Sequence, residues 1–245
     1  MERLAAKCFE ETSLSERIRD FNWAEIQLSL DNNGYAILKN ILSFEQCEIL
    51  EQYYFEDFRF RSRVVMARHG FGSGEYKYFR YPLPPIVENL RHSIYPFLAP
   101  FANSWNEKLK IDFQFPENLA LFLNRCRAEG QALPTPLILK YFEGDYNCLH
   151  QDLYGEIFFP FQMVILLSEL DKSFSGGEFI ITEKSASGCK VNVITISKGD
   201  AIVFSVNSKP VSGKRRYCRA VLRHGVSAIT KGTRTTLGVI FHDGK

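Results

Sequence analysis

His150 and Asp152 stand two positions apart in 148-CLHQDLYGEIFFPFQ-162. On an extended chain that spacing turns both side chains to one face, where they can share an ion. A third ligand must come from another stretch, and 222-LRHGVSAIT-230 carries His224 inside an apolar β-type run, 72 residues beyond Asp152. Two imidazoles and one carboxylate make a facial triad suited to non-haem Fe(II), with positions left open for a co-substrate and dioxygen. An isolated H-x-D pair carries little weight, so neighbours at fixed distances must decide.

Several such neighbours line up. Arg234 follows His224 by ten residues in 232-GTRTTLGVIF-241, and its guanidinium could grip a carboxylate through a bidentate fork. Tyr141 precedes His150 by nine residues in 140-KYFEGDYN-147. Gln162 is the one polar side chain in the run 157-IFFPFQMVILL-167; it either points outward or is buried against a polar partner. Gly176 and Gly177 in 174-FSGGEFII-181, with the turn in 198-KGDAIVFSV-206, supply the tight corners that a rolled sheet needs.

The elements that must hold these residues follow from periodicity. The first 110 residues or so read as helices around one strand, 34-GYAILKNIL-42. Ser43 can cap a helix over 44–58, and helical spacing returns over 86–109, bent or broken near Pro96 and Pro100. Beyond about residue 119 come β-type runs at 137–142, 161–168, 177–182, 191–197, 201–206, 217–229 and 234–242. Seven or more strands with little helix between them make a sandwich or jelly roll. With no repeat or linker in sight, the reading is a single domain over 1–245 of class α+β, in which a mainly helical part, 1–118, buttresses a β core, 119–245.

The pattern Y-x-x-G-D…H-x-D…G-G-E…G-D-x-x-x-F…H…G-x-R, spread over about residues 137–242, resembles the 2-oxoglutarate- and Fe(II)-dependent dioxygenases, in spacing the prolyl-hydroxylase-like branch. The resemblance implies a double-stranded β-helix, the cupin-like form of the jelly roll. It implies His150, Asp152 and His224 as iron ligands and Arg234 on the distal carboxylate of 2-oxoglutarate. Tyr141 falls at a position that hydrogen-bonds the co-substrate. Gln162 falls where related enzymes place a polar side chain, often threonine, on a co-substrate carboxylate. Fe(II), 2-oxoglutarate and O2 are thus the implied cofactors, and hydroxylation of a C–H bond in a protein side chain or amino acid is the implied activity. A bacterial oxygenase family described as acting on damaged DNA also resembles the chain. The spacing argues against nucleic-acid demethylation, because 234-RTTLGVIF-241 lacks the asparagine and second arginine of the R-x-N-x-T-x-x-R run in those demethylases. A rival of another class, a non-catalytic metal-binding β-sandwich, is disfavoured by Arg234 and Tyr141 and by the lack of an evident fourth ligand for structural zinc.

Composition bounds the remaining classes. With 45% hydrophobic and 24% charged residues in 245, the chain can bury a sizeable core, and a net charge of +2 does not single out a nucleic-acid partner. The stretch 209-KPVSGKRRYCR-219 is a basic hairpin able to track a phosphate backbone, or simply a solvated turn. Six cysteines without C-x-x-C spacing, and a start without an apolar secretory run, place the protein in the cytoplasm with reduced thiols. No apolar run is long enough for a membrane helix. His69, His92 and His242 lack partners at ligand spacing. The aromatic segment 61–82, with three alternating glycines, reads as a lid over the site or as core packed between helices and sheet.

Overall fold

The computed structural model describes residues 13–245 except 154 and 187. Cys8 therefore lies outside the described residues; the other five cysteines are free thiols. In chain order the elements begin with α1 (Leu14–Arg19), α2 (Trp23–Asn33), β1 (Tyr35–Leu38), α3 (Phe44–Tyr53), β2 (Phe60–Val65), β3 (Gly72–Ser73), β4 (Glu75–Phe79), α4 (Pro85–Leu109) and α5 (Leu119–Ala128). The strands β5 (Leu137–Phe142), β6 (Tyr146–His150), β7 (Phe161–Leu166), β8 (Phe174–Gly176) and β9 (Phe179–Ser185) follow. The chain closes with β10 (Gly188–Ile194), β11 (Ala201–Ser205), β12 (Ser208–Ser212), β13 (Tyr217–Val226) and β14 (Ile229–Ile240).

The strands form two antiparallel sheets, as expected for a double-stranded β-helix. The larger has the order β1-β11-β7-β14-β5-β4-β2, with β8 on β14; the smaller has the order β10-β9-β13-β6-β3, with β12 on β13. Strand β7 is buried along its whole length because its sheet is covered on both faces. Phe161, Met163 and Ile165 face a core shared with the helices, while Val164 and Leu166 face the core between the sheets. Gln162 shares the latter face.

Helix α4 runs unbroken through Pro96 and Pro100, so neither proline ends it. Each proline deletes a backbone hydrogen bond, a perturbation of about 3 kcal/mol. Val87, Leu90, Ile94, Leu98, Ala102 and Trp105 bury one face of the helix in the outer core, and this burial outweighs the loss. Capping follows the local sequence: Ser43 accepts from the Gln46 amide in a capping box at the start of α3.

Residues 61–82 are not a free lid. Strands β2 and β4 pair with each other, and β4 pairs with β5, so both belong to the larger sheet; the rings of Phe60 and Phe79 stack at 4.8 Å. Between β2 and β4, residues 66–74 leave that sheet. They cross to the smaller sheet, where Gly72 and Ser73 pair with Asn147 and Tyr146 of β6, and return at β4. The result is a strap that ties the two sheets together. Four strands thus precede residue 119, and helix α5 occupies 119–128, so that boundary does not divide helix from strand; the unbroken succession of strands begins at Leu137.

Candidate metal and co-substrate site

His150 is the last residue of β6, and His224 on β13 is its direct cross-strand partner. The two imidazoles therefore face inward together, with ring centres 4.2 Å apart. The register of β13 on β6 shifts between His224 and Val226, a bulge of the kind that re-aims a side chain. A side chain at Gly225 would meet the Asn147 carbonyl at 2.7 Å, so the glycine is required there. Asp152 stands just past the end of β6. Its two carboxylate oxygens lie 3.3 Å from His150 Nε2 and 3.3 Å from His224 Nε2, and the donor atoms of all three residues fall within 4.8 Å of one another.

The protonation pattern suits a metal. His150 Nδ1 donates to the Cys148 carbonyl at 2.7 Å, which turns Nε2 toward Asp152, where it carries a proton to the carboxylate that a metal would replace. Burial pushes the Asp152 carboxyl up, but hydrogen bonds from both histidines more than reverse this and hold it well below the ordinary range. Burial likewise opposes charge on His150, where the Asp152 hydrogen bond wins and raises its pKa. At His224 burial prevails and lowers it.

Arg234 on β14 is the cross-strand partner of Tyr141 on β5. It is 3% exposed, with its guanidinium carbon 5.8 Å from the Tyr141 ring centre, and among the described residues no carboxylate forms an ion pair with it. Burial lowers its pKa to about 10, against the pull of Tyr141 and Glu178. Room for the side chain comes from Gly177: a Cβ there would sit 2.8 Å from Arg234 Cδ, and its φ of 65° is one that glycine favours. Tyr141 is fully buried; its hydroxyl accepts from Asn147 Nδ2 at 3.4 Å, and burial pushes its pKa up.

Gln162 is buried, and its amide donates to the Asp152 carboxylate. Among the described contacts its partner is thus a candidate metal ligand. Thr236, two residues past Arg234 on the same face of β14, was not singled out from the sequence; its hydroxyl is buried and has no hydrogen-bond partner among the described residues. The i, i+2 spacing from Arg234 was the signal that could have found it.

The three candidate ligands, Arg234, Tyr141, Gln162 and Thr236 line one cavity of about 240 Å³ between the sheets, which Met66 and Phe71 from the strap and Tyr76 and Tyr78 from β4 also wall. The other histidines lie elsewhere. His69 stacks on Phe71 at 5.6 Å and His92 bonds Glu88. His242 is buried, its Nδ1 accepting from the Phe159 amide. Asp243 pairs with the buried Arg91 at 2.8 Å.

Residues 74–244 match the model of a family described as "Oxygenase, catalysing oxidative methylation of damaged DNA". Two uncharacterized proteins of Mycobacterium tuberculosis, from different strains, are each 39% identical over 166 residues, covering 67% of this chain and 71% of theirs. Among solved structures, an oxidoreductase of the 2OG-Fe(II) oxygenase family from Burkholderia pseudomallei superposes with a TM-score of 0.53 at 16% identity, over 92% of this chain and 93% of that one. A prolyl hydroxylase from Trichoplax adhaerens, in complex with a hypoxia inducible factor peptide fragment, gives 0.52 at 15% identity, over 96% and 93%.

Proposed function

The chain belongs to the family of oxygenases described as catalysing oxidative methylation of damaged DNA, and we propose that it is a 2OG-Fe(II) oxygenase that hydroxylates a C–H bond of a protein side chain or amino acid. The observation that carries this reading is the pairing, in one cavity, of a His-Asp-His cluster with a buried arginine that has no carboxylate partner among the described residues. These residues fit both groups that such chemistry needs. His150, Asp152 and His224 would hold Fe(II), and Arg234 would grip the distal carboxylate of 2-oxoglutarate, with Tyr141 and the free Thr236 hydroxyl at hand for its remaining oxygens. Bound together, iron and co-substrate supply the oxidising power that places one oxygen atom of O2 in the C–H bond while the other leaves in succinate.

The chain's own residues do the rest. The Cys148 carbonyl keeps the His150 proton on Nδ1, away from the metal face. Gln162 orients the Asp152 carboxylate. Met66, Phe71, Tyr76 and Tyr78 wall the cavity with apolar and aromatic surface that excludes water from the reacting centre.

A polypeptide is favoured over nucleic acid by where the cations lie. Lys214, Arg215, Arg216 and Arg219 are exposed and, among the described residues, form no ion pair. They cluster around Tyr217, seven residues before His224 on β13, roughly 23 Å along the strand. The cavity wall itself is aromatic rather than cationic, and the Trichoplax relative in fold holds a peptide. That same cation cluster, with the family description, favours alkylated nucleic acid as the second reading. Substrate-stimulated succinate release separates the two: the expected response is to polypeptides or free amino acids. A response to alkylated DNA alone would install the second reading.

A further inference from the structure

Between the two candidate ligands His150 and Asp152 sits Gln151, a residue the chemistry above does not use. Its side-chain Nε2 donates to two backbone carbonyls at once, Asn207 at 2.8 Å and Leu222 at 2.9 Å, so both amide hydrogens are committed. Leu222 lies two residues before His224 on β13. Its N–H also goes to the Asn207 carbonyl, at 2.8 Å.

These contacts fall at a gap in the smaller sheet. Strand β13 is flanked on one edge by two different strands: β12 pairs with it from Ser212↔Tyr217 to Ser208↔Val221, and β6 takes over at His224↔His150. Leu222 lies at the junction, where its carbonyl is served by neither strand but by the Gln151 amide. The amide thus acts as a missing rung of the ladder. It ties the chain segment that carries Asp152 to the strand that carries His224.

We infer that Gln151 is a positioning residue, which sets the separation between the His150–Asp152 pair and His224 by bridging the β12–β6 junction of β13. The inference rests on the metal reading above. Asp152 lies beyond the last residue of β6 and, among the described residues, has no ladder bond of its own to fix it. Gln162 orients its carboxylate group, whereas Gln151 anchors the backbone on which that carboxylate is carried. The two glutamines therefore restrain different degrees of freedom of one ligand.

The test uses Co(II) as a spectroscopic probe of the intact chain. Co(II) affinity and the visible Co(II) spectrum are measured for the parent, Gln151→Met and Gln151→Glu, beside the melting temperature of each metal-free protein. Both variants keep the length of the side chain and remove its two donors. Loss of an outer partner of a metal ligand lowers affinity by about 10–100-fold, and the same range, with an altered Co(II) spectrum, is expected here in both variants. Co(II) affinity and spectrum in Gln151→Met equal to the parent's would overturn the inference while leaving the metal site standing. A loss of affinity accounted for entirely by a smaller folded fraction, with the Co(II) spectrum unchanged, would also overturn it by assigning Gln151 to folding alone. Failure of the parent to take up Co(II) would instead bring down the metal reading, and this inference with it.

Discussion

Alanine in place of His150, Asp152 or His224 removes one of three donors that lie within 4.8 Å of one another, and no further His, Cys, Asp or Glu among the described residues joins that cluster. Each variant is expected to lose Fe(II)-dependent turnover while its circular dichroism stays that of the parent; full activity in any one would strike that residue from the triad. Arg234→Ala should weaken 2-oxoglutarate far more than Fe(II), by about 2–5 kcal/mol, because it removes one side of a desolvated charge pair. Arg234→Lys should recover part of that loss through a point charge without the fork. An apparent 2-oxoglutarate affinity unchanged in Arg234→Ala would refute the assignment. The H-x-D spacing was readable because an extended chain's alternation converts sequence distance into a shared face, and the ten-residue step from His224 to Arg234 because it matches the spacing of the family that the chain resembles. What alternation cannot show is the partner across the cavity. The sequence left Gln162 either outward or buried on a polar partner, and its bond to Asp152 and the two hydrogen bonds of Gln151 depend on loops and strand ends whose course no periodicity encodes.

Among the elements, the strap over 66–74 carries the sharpest expectation. A Cβ at Gly72 would meet the Tyr146 carbonyl at 2.4 Å, with φ at 117°, whereas nothing lies within 4 Å of one at Gly70. Gly72→Ala should therefore break the β3–β6 pairing, leave uncoupled 2-oxoglutarate decarboxylation near the parent rate, and abolish its stimulation by substrate. Gly70→Ala, whose cost is only the strain of a left-handed backbone, about 1 kcal/mol, should keep that stimulation. Equal stimulation in both variants, measured as succinate release, would show that the strap does not govern substrate access. The strap shows why part of the fold escaped a reading of the sequence. Glu75 and Lys77 alternate with Tyr76 and Tyr78 in β4, but the polar stretch Arg61-Ser62-Arg63 of β2 shows no such pattern, and three glycines between the two strands suggest a loop. Strands β6, β8 and β12 are short or largely exposed, so burial left little imprint on their residue types. Strands β5, β7 and β11, whose apolar runs are buried in the larger sheet, fell where their sequences placed them.

At the scale of the whole molecule, folding encloses titratable groups whose behaviour is not that of the free chain. Burial lowers the His242 pKa to about 3, so the folded protein keeps it neutral where the unfolded chain, near 6.5, is already protonated. Its stabilising contribution is full above pH 6.5 and is lost progressively as pH falls toward 3, at up to about 1.4 kcal/mol per pH unit. Urea unfolding between pH 7 and pH 4.5 should therefore show a shallower decline in His242→Asn than in the parent, with Asn able to accept from the Phe159 amide in its place. Parallel declines would remove His242 from the acid response. The helices and the outer face of the larger sheet form one core and the facing surfaces of the sheets another, and the candidate site lies in the second.

The central claim is that this inner cavity binds iron and 2-oxoglutarate together, and anaerobic titration of the Fe(II)-loaded protein with 2-oxoglutarate, followed by visible absorption, tests it most directly. Chelation of an open Fe(II) site by the 1-carboxylate and 2-oxo groups gives a charge-transfer band; the account predicts that band in the parent and its displacement to much higher 2-oxoglutarate concentration in Arg234→Ala. A parent protein that binds Fe(II) yet develops no band at saturating 2-oxoglutarate would contradict it.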